Sequence, residues 1–470
     1  MPPTASTGAW HFFKTLFLLL LTLLFLPIDT LIILSIHILH RPRHRSNALE
    51  PPAEKKTVLI TSVGTAKGLA LARLFHLAGH RVVGADTKGP LSPGWASTAV
   101  HKYHRLIHVP PPSAAEGNDH YTNQLLRIVQ TEKADLWISL SSSSSSSAIA
   151  KEAIESHCTK TKAVQFSATE TKLLHDKGSF MNLARRLGLP VPDYSVVRTG
   201  ADVLAFLSGK QDGGGKYLVK AHDEYPLLPR PTDAETHAQI ARLPLFRPVL
   251  LQEYISGPEF CTHALVVRGR VRAFVACPSS ELLMHYVALP AESPLGLEML
   301  EFTQRLAAHF GEGFTGHVSF DFIARGTHDE FGIFAIECSP RAHTAMVLFS
   351  QTPGLVDAYL SLLEDTVPAA QKPVITPQNP QQYYWIGQDF FDQVVHPLLP
   401  WDEAPHSEYA ASVRRFLDHV LNWKDGTFEA WDPWPWWWQY HVFWPARLIR
   451  LLVTGRPWSR IDVRTCGEGL

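Results

Sequence analysis

Two short apolar stretches, each carrying a single acid, decide the fold of this chain: Val318-Ser-Phe-Asp-Phe-Ile323 and Phe334-Ala-Ile-Glu337, the second continued by Cys338-Ser-Pro-Arg341. Runs of this length, rich in aromatic and β-branched residues, are typical of buried strands. A single polar residue on such a strand is usually a solvent-facing residue. Asp321 and Glu337 belong to a longer series, because other charged residues interrupt the apolar pattern at the ends of further predicted elements. The series therefore predicts a functional site.

The other members of the series are two lysines and a third acid. Lys177 lies in a predicted helix that runs from Ser167 to Gly188, and Lys220 ends a predicted strand. Glu259 opens the strand that follows the turn Ser256-Gly-Pro258. Lysines at the ends of ordered elements can neutralise the phosphate charge of ATP. We therefore expect a site for ATP.

The acids and one arginine complete the expected chemistry. Mg²⁺ takes oxygen ligands, usually one or two carboxylates and phosphate oxygens. We expect Asp321 and Glu337 to hold Mg²⁺ against the phosphates, with Mn²⁺ as the alternative ion. The planar guanidinium of Arg341 suits phosphate oxygens, so Arg341, together with Lys220, is the candidate for stabilising the transferred phosphoryl group.

The preceding region has the pattern of a doubly wound α/β unit. Residues Thr57 to Gly64 form a predicted buried strand that ends in a glycine turn, and Lys67 to Ala78 show helical spacing. A second strand, Arg81 to Asp86, ends in an acid at the place of a ribose-binding residue. The glycines of a GxGxxG fingerprint are incomplete, which favours a substrate-binding domain of Rossmann-like topology over a dinucleotide site.

Seven consecutive serines, Ser141 to Ser147, follow the predicted strand Asp135 to Leu140 and precede a helical pattern over Ala148 to Ser156. Ligands of open parallel sheets bind at the carboxyl ends of the strands. Ser141 and Ser142 are therefore candidates for contact with a polar substrate. The alternative is an uninformative serine-rich loop.

Both ends of the chain have the composition of membrane-facing segments. Residues Phe12 to Leu39 are almost all apolar and are numerous enough to cross a bilayer core, and the basic residues of Arg41 to Arg45 favour a body on the cytoplasmic side. Because Pro27 and Asp29 lie inside this run, we expect the helix to break near Pro27 and to lie partly in the interface or form a re-entrant hairpin. A signal anchor or a buried helix is the alternative. The Trp-rich stretch from Trp431 to Trp458 suits either a bilayer interface or an aromatic lid on the protein's own core.

Composition excludes several classes of protein. Lys and Arg number 43 against 44 Asp and Glu among 470 residues, so the formal net charge of −1 gives no sign of a nucleic-acid binder. The 24 histidines include no HExxH, and the five cysteines are far apart with no CxxC. Neither a zinc site nor a disulfide framework is therefore predicted.

In their order and spacing these elements resemble the ATP-grasp superfamily. Five pieces within roughly residues 55 to 365 carry the resemblance: Asp176-Lys177, Tyr217-Leu-Val-Lys220, Leu251-Gln-Glu-Tyr-Ile-Ser-Gly-Pro-Glu259, Ser319-Phe-Asp-Phe322 and Ile336-Glu-Cys-Ser-Pro-Arg341. The resemblance implies an α/β ATP-grasp fold preceded by a Rossmann-like domain. It also implies that the two lysines bind phosphates and the adenine edge, and that Glu259 holds the ribose. The backbone of the strand bearing Gln252, Glu253, Tyr254 and Ile255 would lie along adenine.

A closer resemblance is to the mycosporine-glycine synthase branch. It rests on Phe260-Cys-Thr-His263, on Glu337-Cys-Ser-Pro-Arg-Ala-His-Thr-Ala345, and on the two terminal segments. It implies that an amino acid, typically glycine, is joined to 4-deoxygadusol after ATP converts a cyclohexenone oxygen into a phosphate. His263 and His343 are then candidate substrate contacts.

Two positions depart from the family pattern. Ser339 stands where that pattern usually has Asn, so a hydroxyl would be the third and weaker metal ligand. The phosphate-covering loop, Ala221 to Thr232, contains three prolines and no glycine. Two other hypotheses remain open. One is a carboxylate–amine ligase acting through an acyl phosphate in another small-molecule pathway. The other, which these departures and the serine run favour, is a membrane-tethered nucleotide-binding protein without catalysis.

The expected organisation is a membrane anchor over residues 1–45, a Rossmann-like substrate domain over 57–168, an ATP-grasp domain over 169–366, and a Trp-rich extension over 367–470. The expected partners are a small-molecule acceptor, an amino acid and a membrane, and no nucleic acid. The oligomeric state does not follow from the sequence.

Overall fold

The computed structural model describes residues 5–40, 54–107, 114–141, 144–210, 216–220, 227–228, 234–241, 248–279, 285–326, 331–364, 372–377, 379–398 and 409–455. Three of the predicted features lie outside these ranges: Ser142, the basic residues of 41–45, and the phosphate-covering loop apart from Leu227 and Leu228.

The described chain is a mixed α/β structure. Its helices are α1 Ala5–His40, α2 Ala66–Leu77, α3 Ala114–Glu132, α4 Ser144–His157, α5 Ala168–His175, α6 Lys177–Arg186, α7 Gly200–Ser208, α8 Ala234–Ala241, α9 Pro294–Phe310, α10 Gly354–Leu360, α11 Ile386–Phe390, α12 Tyr409–Asn422, α13 Trp434–Trp438 and α14 Trp444–Thr454. Its strands are β1 Thr57–Thr61, β2 Arg81–Asp86, β3 Lys102–Arg105, β4 Leu136–Ser139, β5 Lys162–Val164, β6 Tyr194–Val197, β7 Tyr217–Lys220, β8 Leu227–Leu228, β9 Val249–Glu253, β10 Glu259–Val267, β11 Arg270–Pro278, β12 Gly316–Gly326, β13 Phe331–Ser339, β14 Tyr383–Tyr384 and β15 Lys424–Asp425.

The first sheet confirms the Rossmann-like prediction. Its five strands run in the order β3-β2-β1-β4-β5, and each neighbouring pair is parallel. The buried Asp86 carboxylate is hydrogen-bonded within the protein. It accepts from Gly64 N and Ser92 Oγ, both at 3.1 Å, and from Lys88 N. A Cβ at Gly64 would lie 1.9 Å from Ser92 Oγ, so only glycine fits this turn. Asp86 therefore closes the turn after β1 in this structure.

Two four-stranded antiparallel sheets follow. The strand orders are β6-β9-β7-β8 and β11-β10-β12-β13. The link between the sheets turns at Gly257, where a Cβ would lie 1.9 Å from Ala324 O of β12. Buried rings of Phe180, Phe302 and Phe320 pack behind the second sheet. The opposite face of this sheet and the ends of its strands carry polar side chains, including Ser319 and Asp321 of β12.

Two local predictions were wrong in detail. The helix expected to run unbroken past Lys177 is divided into α5 and α6, because Asp176 adopts an extended backbone and caps α6 by accepting from Ser179 N at 2.8 Å. The serine run is partly helical, since α4 begins at Ser144 rather than at Ala148. Ser141 remains at the carboxyl end of β4, where it is buried.

The N-terminal helix does not break at Pro27, contrary to expectation. Helix α1 is continuous through Pro27, and Asp29 is matched by a partner, with Asp29 Oδ2 lying 2.9 Å from His441 Nε2. At the next residue of α1, Trp437 Nε1 donates to Thr30 Oγ1 at 2.9 Å. Polar partners from a neighbouring helix make a proline and an acid tolerable within an apolar helix. Among the described residues, α1 is the helix whose length and apolarity suffice to cross a bilayer.

The Trp-rich tail packs on the protein. Asp432 is fully buried and receives hydrogen bonds from Arg73 Nε at 2.9 Å, Ser97 Oγ at 2.7 Å and Thr98 N at 2.7 Å. The tail thus joins α1 to the Rossmann-like sheet. Contact between the tail and a bilayer stays a prediction.

Candidate active site

The two acids on neighbouring strands of the second antiparallel sheet lie next to each other. Asp321 on β12 and Glu337 on β13 are register partners, and the pairing shifts immediately after Asp321, as in a β-bulge. Lys177 Nζ, at the start of α6, lies 2.8 Å from Glu337 Oε2. The antiparallel pairing of β12 and β13 therefore brings together two carboxylates that are separate in the sequence, and α6 supplies a cation.

The second lysine reaches the same place from the other sheet. Lys220 ends β7, and its Nζ donates to the backbone carbonyl of Ile336 at 3.3 Å. Burial and, to a smaller extent, the nearby Lys177 lower the pKa of Lys220 to about 8, against the opposing carboxylates of Glu337, Asp321 and Glu259. Lys220 therefore lies within electrostatic reach of all four of these side chains.

The acids of the cluster repel one another. Burial and, to a smaller extent, the charges of Glu337 and Glu259 raise the pKa of Asp321 to about 7, against the opposing effect of Lys220 and Arg341. Burial also raises the pKa of Glu259, with a smaller contribution from Glu337. Like charges that meet in a poorly solvated place favour uptake of a cation. Oxygen ligands of this kind fit Mg²⁺.

The strand predicted to lie along adenine is the inner strand β9. Gln252 pairs with β6 on one side and β7 on the other, and its buried Oε1 has no hydrogen-bond partner among the described residues. Glu253 N donates to Asp193 O and Tyr254 N donates to Lys216 O, both at 2.7 Å. These two backbone N–H groups are therefore used within the protein.

The side chains at the end of β9 differ in environment. The Glu253 carboxylate forms an ion pair with Arg325 at 2.6 Å, and Ile255 is buried. Tyr254 is exposed. Glu253 thereby ties the first antiparallel sheet to β12 of the second.

The segment after Glu337 turns tightly. Ser339 is the register partner of Ser319, whose Oγ donates to Ser339 O at 3.2 Å. Arg341 N donates to the same carbonyl at 2.8 Å, while the Arg341 side chain is exposed. This turn places Arg341 near enough to Asp321 to lower the pKa of its carboxyl.

A row of histidines continues the polar face away from the acids. His317, Ser319 and Asp321 alternate along β12 and so share one face of the sheet. Since Cys261 pairs with Asp321 and Leu265 with His317, His263 of β10 lies opposite Ser319. His343 N donates to His263 Nδ1 at 3.3 Å. The predicted residues His263 and His343 therefore meet beside the metal-binding candidates.

The histidines on the strands are held neutral. Burial lowers the pKa of His317 to about 3, with a further contribution from Lys67, and burial lowers the pKa of His263 well below its usual value. His317 Nε2 lies 2.8 Å from Tyr359 Oη. His263 Nε2 is buried and has no hydrogen-bond partner among the described residues. The row thus combines uncharged imidazoles with a nitrogen that a ligand could contact.

Two residues of this region were not predicted. His317 could have been found from its two-residue spacing to Ser319 and four-residue spacing to Asp321. Lys67 could not, because its Nζ donates to Ala342 O at 2.7 Å across 275 positions of sequence. Both residues, His317 and Lys67, lie where the Rossmann-like unit meets the second antiparallel sheet.

Solved structures share this arrangement of a parallel unit followed by two antiparallel sheets. N5-carboxyaminoimidazole synthetase from Staphylococcus aureus aligns with a TM-score of 0.53 at 14% identity, covering 76% of this chain and 89% of that one. This chain has the ATP-grasp fold. An ADP complex of the same Staphylococcus aureus synthetase aligns at 0.52 and 14% identity, covering 76% of this chain and 88% of that one. An ADP complex of purK, N5-carboxyaminoimidazole ribonucleotide synthetase, aligns at 0.52 and 12% identity, covering 80% and 99%.

The structural similarity establishes the ATP-grasp fold, and at these sequence identities it does not extend to the activity or the substrates. No protein-family model and no curated protein matches the sequence. The activity and the substrates therefore have to be argued from the side chains of the site.

Proposed function

We propose that this protein is a ligase that uses ATP and Mg²⁺ to form a C–N bond and releases ADP. The observation that carries the proposal is the convergence of Lys177, Lys220, Asp321, Glu337 and Glu259 from two sheets and one helix. Lysines and a carboxylate-held metal are the groups that phosphoryl transfer requires, because that reaction depends on positioning and on charge stabilisation.

Each residue has a distinct role in the proposal. Asp321 and Glu337, with Ser339 as a third ligand, would hold Mg²⁺, which would supply positive charge to neutralise the phosphates of ATP. Lys177 and Lys220 bind the phosphates, and Arg341 and Lys220 stabilise the transferred phosphoryl group. Glu259 accepts hydrogen bonds from the ribose. The backbone N–H groups of Glu253 and Tyr254 already form hydrogen bonds within the protein. In this proposal, residues Gln252 to Ile255 therefore contact adenine through backbone groups and side chains other than these two N–H groups.

For the acceptor we propose a cyclohexenone such as 4-deoxygadusol, and for the amine an amino acid, glycine first. The neutral imidazoles of His263 and His317, with Ser319 between them, suit the hydroxyl and carbonyl groups of an uncharged ring. His343 and Ser141 border the same region in this proposal. A ring oxygen takes the γ-phosphoryl group of ATP. The amine nitrogen then bonds to the ring carbon that bears this oxygen, phosphate leaves from that carbon, and the nitrogen loses a proton.

In this proposal each domain binds a different partner. We propose that residues 57–168 and the histidine row bind the acceptor, that residues 169–366 bind ATP and metal, and that α1 anchors the body to a membrane on its cytoplasmic side. The apposition of Lys67 and Ala342 supports an acceptor site between the first two units.

The test is an assay of the full chain in nonionic detergent with ATP, Mg²⁺, 4-deoxygadusol and single amino acids. We expect ADP and a UV-absorbing product when all components are present, detected by mass spectrometry. Asp321→Asn should remove both products, whereas Glu312→Gln, an exposed acid outside the cluster, should change neither.

The outcomes separate the hypotheses. Failure of every amino acid to give a product would exclude the cyclohexenone acceptor. Trapping of an acyl hydroxamate with a carboxylic acid substrate would indicate a carboxylate–amine ligase instead. ATP binding without amine-dependent ADP release, over a panel of acceptors, would indicate a nucleotide-binding protein without catalysis.

A further inference from the structure

A second cluster of potential metal ligands lies outside the active site. His285 follows β11, Asp389 lies on α11 and His419 lies on α12. His285 Nε2 is 3.0 Å from Asp389 Oδ1, and His419 Nδ1 is 2.8 Å from Asp389 Oδ2. The carboxylate is 1% exposed, and the imidazoles are 27% and 14% exposed. Two imidazoles therefore converge on one buried carboxylate.

We propose that His285, Asp389 and His419 bind one divalent transition-metal ion of the Zn²⁺ type. Their ligand atoms all lie within 4.8 Å of one another. Zn²⁺ binds imidazole nitrogen and carboxylate oxygen at ~2.0–2.2 Å, which places tetrahedral ligands roughly 3.3–3.5 Å apart. The two nitrogen–oxygen separations are shorter than this by a few tenths of an ångström. A small rotation of each ring therefore makes room for the ion, and water fills the remaining position.

The surroundings favour a fixed site. The ring of Trp423 lies 5.6 Å from that of His285 and 4.7 Å from that of His419, and Tyr384 lies 5.8 Å from His419. Asp389 N donates to Trp385 O, which holds the backbone of the carboxylate in place. Aromatic packing restricts both imidazoles, so less ordering of the side chains accompanies binding of an ion.

The ion would join distant parts of the chain. His285 and Asp389 are 104 positions apart, and Asp389 and His419 are 30 apart. Binding would hold α11 and α12 of the C-terminal extension against the segment that follows β11. The site thus clamps the extension to the ATP-grasp body, and it involves none of the residues proposed for catalysis.

The test begins with the full chain, purified in detergent without chelator and analysed for metal content. We expect about one zinc per chain, removal by a chelator with a fall in the melting temperature, and recovery of both on addition of Zn²⁺. Replacement by Co²⁺ should produce the visible d–d bands of a low-symmetry site. That measurement uses the wild-type chain and so does not depend on whether a variant folds.

Matched variants locate the ion. His419→Gln and Asp389→Asn should each weaken Zn²⁺ binding at least tenfold, whereas His309→Gln, at an exposed histidine of α9, should bind as the wild type does. Asp321→Asn should also retain zinc, which separates this site from the proposed catalytic metal. Absence of bound metal together with no rise in melting temperature on adding Zn²⁺ would overturn the proposal. So would equal zinc content in wild type and His419→Gln, and the cluster would then be a hydrogen-bonded His–Asp–His network.

Discussion

Replacement of His317 by Gln should flatten the acid dependence of stability. The imidazole is buried against Tyr359, and burial, with help from Lys67, lowers its pKa from 6.5 to about 3. In the unfolded chain the same group binds a proton below its ordinary pKa. Between these two pH values the unfolded state holds more protons than the folded state. The contribution of the neutral His317 imidazole to stability is therefore complete above pH 6.5 and is lost as the pH is lowered towards 3.

The size of the effect follows from that window. A histidine that is charged only when unfolded contributes up to ~1.4 kcal/mol per pH unit, or about 1.2 kcal/mol between pH 6 and pH 5. Urea unfolding of the full chain in nonionic detergent, at pH 7, 6 and 5, measures it. Wild type should lose that much more stability than His317→Gln over the last step.

The control for this experiment is His309→Gln, since the His309 side chain is exposed on α9. Its pH dependence should match that of the wild type. Equal slopes for wild type and His317→Gln would refute the reasoning, because they would mean that the His317 imidazole accepts its proton without unfolding. His263, whose pKa burial also lowers, should steepen the wild-type slope in the same direction.

Three further changes test other parts of the structure. Asp321→Asn should reduce Mg²⁺-dependent ADP release at least a hundredfold with unchanged circular dichroism, because it removes a charged metal ligand; an effect under tenfold would exclude Asp321 as a ligand. Asp432→Ala should cost about 3–5 kcal/mol in urea unfolding, because it leaves the buried Arg73 unpaired; a loss below 1 kcal/mol would mean that the pair contributes little. A chain lacking residues 1–45 should move from the membrane pellet to the supernatant on ultracentrifugation, and its continued sedimentation with membranes would show that the Trp-rich tail also attaches.

Local patterns predicted much of the fold. Strand β2 has the predicted bounds, Arg81–Asp86, and helix α2, Ala66–Leu77, differs by one residue at each end from the predicted Lys67 to Ala78. Single acids on apolar strands identified Asp321 and Glu337, which are register partners. These successes share a cause, since the signal in each case lies within a few neighbouring residues.

Some features depend on contacts between residues far apart in the sequence, and one depends on a local cap that a stronger pattern concealed. Continuity of α1 through Pro27 depends on packing against the tail, and the partner of Asp29 is 412 positions away. The division of the helix at Asp176 came from a capping preference that the helical spacing on either side concealed. His285, Asp389 and His419 have no short spacing by which a metal site could be recognised.

The pairing of α1 with the tail has a consequence for the order in which the protein is made. Asp29 and His441 are separated by 412 positions, and at ~5–20 residues per second a ribosome would produce them roughly 20 to 80 seconds apart. Helix α1 emerges well before its polar partners, which are among the last described residues to be synthesised. Helix α1 must therefore be shielded by lipid or by a chaperone until the tail that packs against it has been translated.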